Sequence, residues 1–246
     1  MISSAIRLAL FEIQKRSLNT YAGWMWSLMN PLAQMGLLYF IMTYVFKSNQ
    51  PNILLWLISG LATWIVIQSS IMRSCSSIVS RRALIQNNNI HHSLLVAADI
   101  LSEAFVLVPF FVIGVGVTFI VGAQSFNLFL IPLVLIILMT FLFGIGLTFA
   151  TLTPAFRDLP YLMGLGLQVA FWLTPIAYSK STMSGAVRTI VQLNPFTHFI
   201  ELSQAVFLGL PLSLGLVTIP VALSVSFCIL GIIASAKLGK RMVIHL

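Results

Sequence analysis

The chain has 246 residues, 59% of them hydrophobic and only 7% charged, with a mean hydropathy of +1.03. A soluble domain carries about 25% charged residues to solvate its surface, so this composition argues against a water-soluble fold. At about 20 residues per span, six helices and short loops fill the chain, with no room for a separate soluble catalytic module. Thirteen Lys+Arg stand against five Asp+Glu, a net charge of +8. In a soluble protein that excess would suggest nucleic acid, but here the cations are scattered between apolar runs, the placement that fixes topology in a bilayer. Cys75 and Cys228 lie in different segments and read as unpaired thiols.

Residues 1–30 differ from the rest. Arg7, Glu12, Lys15 and Arg16 interrupt the apolar start, so no cleavable signal is expected. At 100° per residue Glu12, Lys15, Arg16 and Asn19 share one arc, and Ile6, Leu10, Ile13 and Ser17 another. That pattern predicts an amphipathic helix at the membrane interface, serving as an anchor or as a functional contact. Trp24 and Trp26 follow at the depth indoles favour, and Asn30-Pro31 reads as the start of span one.

Charge-free stretches then place spans at about 31–47, 53–73, 94–121, 128–152, 159–178 and 213–235. The run from Ala104 to Phe156 is too long for one helix and breaks at the turn-rich segment 122–127. Six spans put ten cations on the side of the termini and three (Lys47, Lys180, Arg188) on the other, so both termini are predicted to be cytoplasmic. Residues 73–92 form a long cytoplasmic loop with Arg81, Arg82, Asn87–Asn89, His91 and His92. On the outer side, 184–192 and a segment from Asn194-Pro195 to about Leu208 predict helices too short to span, suited to dipping part-way into the membrane.

Few groups carry chemistry. Asp99 and Glu103, four apart on one helix face, face the bundle interior or lie in the interface; Arg73 is a candidate counter-ion. Arg157-Asp158 sits at the inner end of span five, with Asp158 placed to complement the helix dipole. No P-loop, zinc-protease or nucleophile-elbow pattern occurs, and His91 and His92, being adjacent, should point to different helix faces. His198 is read as structural. With no relay of acids and histidines through the spans, the energy for any transport must come from another subunit.

At this point the residues are similar to a known family. The run Gly23–Pro31 (GWMWSLMNP), Phe156–Pro160 (FRDLP) with Phe171–Ile176 (FWLTPI), and Leu193–Phe196 (LNPF) with Glu201 resemble, in order and over essentially the whole chain, the permeases of type-2 ATP-binding-cassette exporters. The likeness is greatest to the branch exporting O-antigen, capsule and teichoic-acid polymers. The resemblance implies a homodimer joined to two copies of a separate ATP-binding subunit, with ATP and Mg in that partner and no cofactor in this chain. It implies that residues 2–28 and about 78–92 meet the ATPase, with Glu12, Lys15, Arg16, Arg81, Arg82, His91 and His92 as candidates. It implies a channel for a lipid-linked glycan, lined or gated by Tyr39, Trp64, Phe171, Trp172, Tyr178, Asn194, Pro195, Phe196 and Glu201.

The expectation is therefore an all-α membrane protein with a single permease domain over 1–246. Its parts are an interface helix (1–30), spans one to five (31–178), outer re-entrant helices (179–212), and span six with a cytoplasmic tail (213–246). The expected role is export of lipid-linked polysaccharide, most of all lipopolysaccharide O-antigen, across the bacterial inner membrane. Alternatives within the family are capsule, teichoic acid, drug or lipid export; outside it, a secondary carrier or channel using Asp99 and Glu103, or an intramembrane protease using His198.

Overall fold

A computed structural model of the chain describes residues 2–17, 25–48, 50–83, 85, 91–122, 126–178, 180 and 183–245. The expectations placed on Asn19, Trp24 and Asn87–Asn89, and on the side chains of Lys15 and Arg16, lie outside what is described. Among the described residues the fold is helical throughout, with no strand. In order come α1 (Ile2–Ser17), α2 (Met25–Phe40, prolonged as a π-helix over Ile41–Val45), α3 (Ile53–Ser80) and α4 (His92–Val121). There follow α5 (Ile131–Leu152), α6 (Leu159–Leu173), α7 (Gly185–Leu193), α8 (Pro195–Leu208) and α9 (Leu214–His245). Five of these segments are long and apolar enough to cross a membrane: 25–45, 53–80, 92–121, 127–152 and 214–238.

Four sequence expectations are corrected. The fifth predicted span, 159–178, is helical only over the 15 residues Leu159–Leu173. Thr174 precedes Pro175, which disfavours helical backbone in the residue before it, and Thr174 is extended. At 1.5 Å per residue α6 is about 22 Å long. Second, Asn30-Pro31 does not start a helix: α2 begins at Met25 and Pro31 falls inside it. Third, α3 runs on to Ser80, so Arg73 lies within a helix and the connection to α4 is shorter than expected. Its serine-rich end satisfies itself, with Ser76 donating to the Arg73 carbonyl and Ser80 to that of Ser76. Fourth, the His91 and His92 rings do not diverge but stack, with centroids 4.3 Å apart. His91 is the extended N-cap of α4 rather than part of the helix.

Other expectations hold. Gly122 ends α4 in the left-handed conformation (φ 73°), where glycine is at ease. Asn194 caps α8, its side chain accepting from the Phe196 N–H at 3.0 Å, with Pro195 at the first helical position. Asp158 precedes α6 but makes no capping hydrogen bond.

The core sits on α3, which is buried along most of its length and packs against α2, α4, α5, α6 and α8. The most intimate contact joins α5 to α9, where Gly144 and Gly231 let the backbones touch. A Cβ on Gly144 would collide with the Cys228 nitrogen and the Phe227 carbonyl. Between small residues at helix contacts, dispersion and close packing replace the hydrophobic drive that lipid cannot supply. Ser224 adds a hydrogen bond to the Ile137 carbonyl at 2.8 Å. The helix ends sort into two sets: His92 meets Ser235 at one end of the bundle, while Asn127 donates to the Leu210 carbonyl at the other.

Candidate functional site

Three of the five acids converge at one end of the bundle. Arg81, just past the end of α3, donates from Nη2 to Asp99 Oδ1 at 2.6 Å and from Nη1 to Asp99 Oδ2 at 2.9 Å. It also reaches Glu12 Oε1 at 3.1 Å and Ser77 Oγ at 3.0 Å. Arg73 pairs with Glu103 at 2.8 Å and approaches Glu12 at 3.9 Å. Asp99 is wholly buried, and Glu12 and Glu103 nearly so. Burial alone would lower the Arg81 pKa, but the hydrogen bonds and charges of Asp99 and Glu12 outweigh it and push the guanidinium above its ordinary value. The cluster thus holds fixed, bidentate ion pairs, and it joins three helices: α1 through Glu12, α3 through both arginines, α4 through Asp99 and Glu103.

The reason α1 can dock there is a small-residue stripe. Ala5 and Ala9 are buried and Glu12 continues their row, while Ile6, Leu10 and Phe11 face outward. The helix therefore presents an apolar flank outward and carries one carboxylate inward to the arginines. Helical phase alone separates the polar from the apolar arc; it does not say that Glu12 leaves the polar face to be buried.

A groove opens between α2 and α3 and ends at this cluster. One part, about 550 Å³, is lined by Asn30, Ser69, Arg73, Ser76 and Glu103 among others; the adjoining part, about 360 Å³, shares Asn30 and Ser69 and adds Gln34 and Gln68. Asn30 and Gln34 are one turn apart on α2, as are Ser69 and Arg73 on α3. Both α2 amides are exposed. Hydroxyls and amides left open along a span cost free energy against lipid unless water or a polar cargo meets them. The groove can therefore offer neutral donors and acceptors to a polar, uncharged chain, with Glu103, held by Arg73, at its foot.

The predicted aromatic residues divide. Trp64 is fully buried on α3, packed between Phe171 and Phe196 with centroids 5.7 Å away on both sides. Its indole N–H donates to Gln68 Oε1 at 3.2 Å, so it orients a groove amide from behind. Phe171 is half-buried against Trp64 and Trp172, and Trp172 itself is exposed. Tyr39 packs part-buried against the core. Tyr178 donates to the Trp172 carbonyl at 2.8 Å. At the opposite end from the charge cluster, Asn194 bonds Thr174 and Glu201 pairs with Lys180 at 3.0 Å, beside a cavity of about 320 Å³ that also touches Trp56. Arg82 and Arg157 are exposed and line a separate pocket. His198 bonds the Gln192 carbonyl at 3.1 Å, a structural partner. Gln34, Gln68 and Ser69 carry no formal charge to mark them in the sequence, and Asn30 reads there only as a helix cap. The four-residue spacing of amides on α2 was the signal available.

Residues 8–208 match the family model for the ABC-2 type transporter, and the chain belongs to that family. Among its relatives is an O-antigen export system permease protein RfbA of Klebsiella pneumoniae, 27% identical over 94% of this chain and 90% of the relative. The RfbA protein of Myxococcus xanthus is 26% identical over 82% and 79%. The polysialic acid transport protein KpsM of Escherichia coli is 22% identical over 80% and 78%.

Proposed function

We propose that this chain is the channel-forming permease of an ATP-driven exporter that moves lipid-linked polysaccharide, most of all O-antigen, out across the bacterial inner membrane. The observation that carries the reading is the α2–α3 groove, whose amides and hydroxyls match a glycan's hydroxyls, in a chain whose relatives bear polysaccharide-export names. Aromatic faces such as that of exposed Trp172 suit the apolar faces of sugar rings.

In this reading the short α6 with its continuation to Tyr178 acts as the fifth of six spans, and α7 and α8 dip into the outer leaflet as gate helices around Asn194, Pro195, Phe196 and Glu201. Both termini are cytoplasmic, two copies of the chain enclose the channel, and ATP and Mg belong to two copies of a partner ATPase. Lys15, Arg16, His91 and His92 form the contact with that ATPase. Glu12 and Arg81, being buried, pass its motion from α1 to α3 and α4. The whole of 1–246 works as one permease domain. A secondary carrier would need an acid free to bind and release its coupling ion; Asp99 and Glu103 are each held by an arginine, which favours the ATP-driven reading.

The test is genetic and biochemical. Cells lacking the chain should accumulate lipid-linked glycan on the cytoplasmic side, and the wild-type chain should restore export. The purified chain alone should hydrolyse no ATP and should co-purify with an ATP-binding subunit. Normal glycan export in its absence would overturn the reading.

A further inference from the structure

The cations of this chain are unevenly satisfied. Arg73 and Arg81 use three acids, and Lys180 uses Glu201. Arg82 and Arg157, from the end of α3 and the α5–α6 turn, converge on one pocket of about 310 Å³, and among the described residues neither is ion-paired. Asp158 stands next to Arg157 in sequence but is exposed and outside the pocket lining. The volume is at the lower end of the range for small-ligand sites, about 300–1,000 Å³. Ser76 and Thr153 also line it, their hydroxyls donating to the Arg73 and Phe149 carbonyls, which leaves the guanidinium groups as its anion donors; Val79 and Pro154 form an apolar wall. Two guanidinium groups lining one cavity repel each other, and an anion between them removes that cost while receiving their forked donors.

The surroundings favour an anion carried by a lipid. Phe156, in the α5–α6 turn, and Tyr161, in the first turn of α6, expose 65% and 76% of their surface, as aromatic residues do at the level of lipid headgroups. Basic pockets between membrane helices on the cytoplasmic side are suited to headgroup phosphates.

We propose that Arg82 and Arg157 form a phosphate site that holds the phosphate or diphosphate headgroup of a lipid at the inner face of the membrane. Under the export reading, on which the identity of the lipid rests, this is where the lipid end of the cargo is held while the glycan enters the groove. The site is separate from the groove: the two share Ser76, on α3, but their arginines differ.

The test uses the full chain in nanodiscs of neutral lipid, titrated with dodecyl monophosphate, dodecyl diphosphate, dodecanol and inorganic pyrophosphate. Dodecyl diphosphate should bind, dodecanol should not, and inorganic pyrophosphate should bind at least tenfold more weakly. The double variant Arg82→Gln/Arg157→Gln should lose tenfold or more in affinity for the dodecyl diphosphate. Arg82→Lys/Arg157→Lys should keep most of it, which separates lost charge from lost fold. Equal binding by wild type and the Gln variant overturns the proposal, and does so too if that variant instead loses a co-purifying ATPase, which would make the arginines a docking surface. Inorganic pyrophosphate binding as well as the alkyl diphosphate would overturn the lipid assignment. Glycan export persisting without the chain would remove the export reading while leaving phosphate binding intact.

Discussion

Arg81 and Asp99 are joined by two nearly parallel hydrogen bonds, and the aspartate is wholly buried while the arginine keeps 12% of its side chain exposed. A pair so enclosed makes each partner dependent on the other. Removing one end of a buried pair strands the other charge and costs about 3–5 kcal/mol, whereas replacing both with apolar groups is often tolerated. Arg81→Leu should therefore sharply lower the thermal stability of the detergent-solubilised chain, and Arg81→Leu/Asp99→Leu should recover much of it. Equal stability of the single and the double variant would contradict the coupling.

Glu12 lies on a different footing, because it ties α1 to the bundle through both arginines without being the sole partner of either. Glu12→Gln should cost less in stability than Asp99→Asn. It should still loosen α1, seen as faster hydrogen exchange over residues 2–17 with little change in α3. Uniform exchange across both helices would remove Glu12 from its linking role.

The groove amides predict a graded loss of transport. A neutral hydrogen bond contributes about 0.5–1.5 kcal/mol, so Gln34→Leu or Gln68→Leu should each slow export about two- to tenfold without reducing the amount of folded protein. Trp64→Phe keeps the ring packing against Phe171 and Phe196 but loses the indole donor to Gln68. It should reproduce part of the Gln68→Leu defect. The measurement is cell-surface glycan at matched permease levels; unaltered export in all three would detach the groove from the cargo.

How far these relationships could be read beforehand depends on their range along the chain. The long apolar runs announce α3, α4, α5 and α9, and Asn194-Pro195 and Gly122 mark helix ends because capping is a local matter of one or two residues. Local rules also misled. Asn30-Pro31 has the form of a helix start, yet the apolar run upstream of it is helical from Met25. Pro175 shortens α6 although the apolar composition continues through Tyr178. The Arg81–Asp99 pair spans 18 residues and Arg81–Glu12 spans 69; their meeting depends on how α1 docks, through Ala5 and Ala9, which carry no charge to draw notice. Arg73, the candidate counter-ion for Asp99 and Glu103, pairs with Glu103, while Asp99 goes to Arg81. Which acid Arg81 takes is decided by the rotation of helices about their axes, a property of packing.

The packing of α5 on α9 gives a sharper stability test. Gly144 has no space for a methyl group, because backbone atoms of Phe227 and Cys228 occupy it, whereas a Cβ on Gly36 would meet nothing within 4 Å. Gly144→Ala should separate the helices and lower the yield of folded protein strongly, since overpacking against rigid backbone costs about 1–3 kcal/mol or more. Gly36→Ala, on exposed α2 surface, should be neutral or slightly stabilising through its helix propensity. Comparable yields for both would mean that α5 and α9 do not pack this closely in the membrane.

The orientation of the bundle can be tested at two exposed cations on opposite ends. Arg188 lies on α7, beyond the end of α6, and Lys237 near the end of α9, on the same end as His92 and the charge cluster. Under the proposed six-span topology ten cations fall on the Lys237 end and three on the other, the distribution expected of a cytoplasmic Lys237 end by the positive-inside rule. With Cys75 and Cys228 replaced by alanine, Arg188→Cys should react with a membrane-impermeant maleimide in intact cells. Lys237→Cys should react only after the inner membrane is opened. If Lys237→Cys were labelled first, the groove would be inverted, its arginine-bearing foot would lie outside, and neither an ATPase at α1 nor a cytoplasmic phosphate site at Arg82 and Arg157 could be sustained.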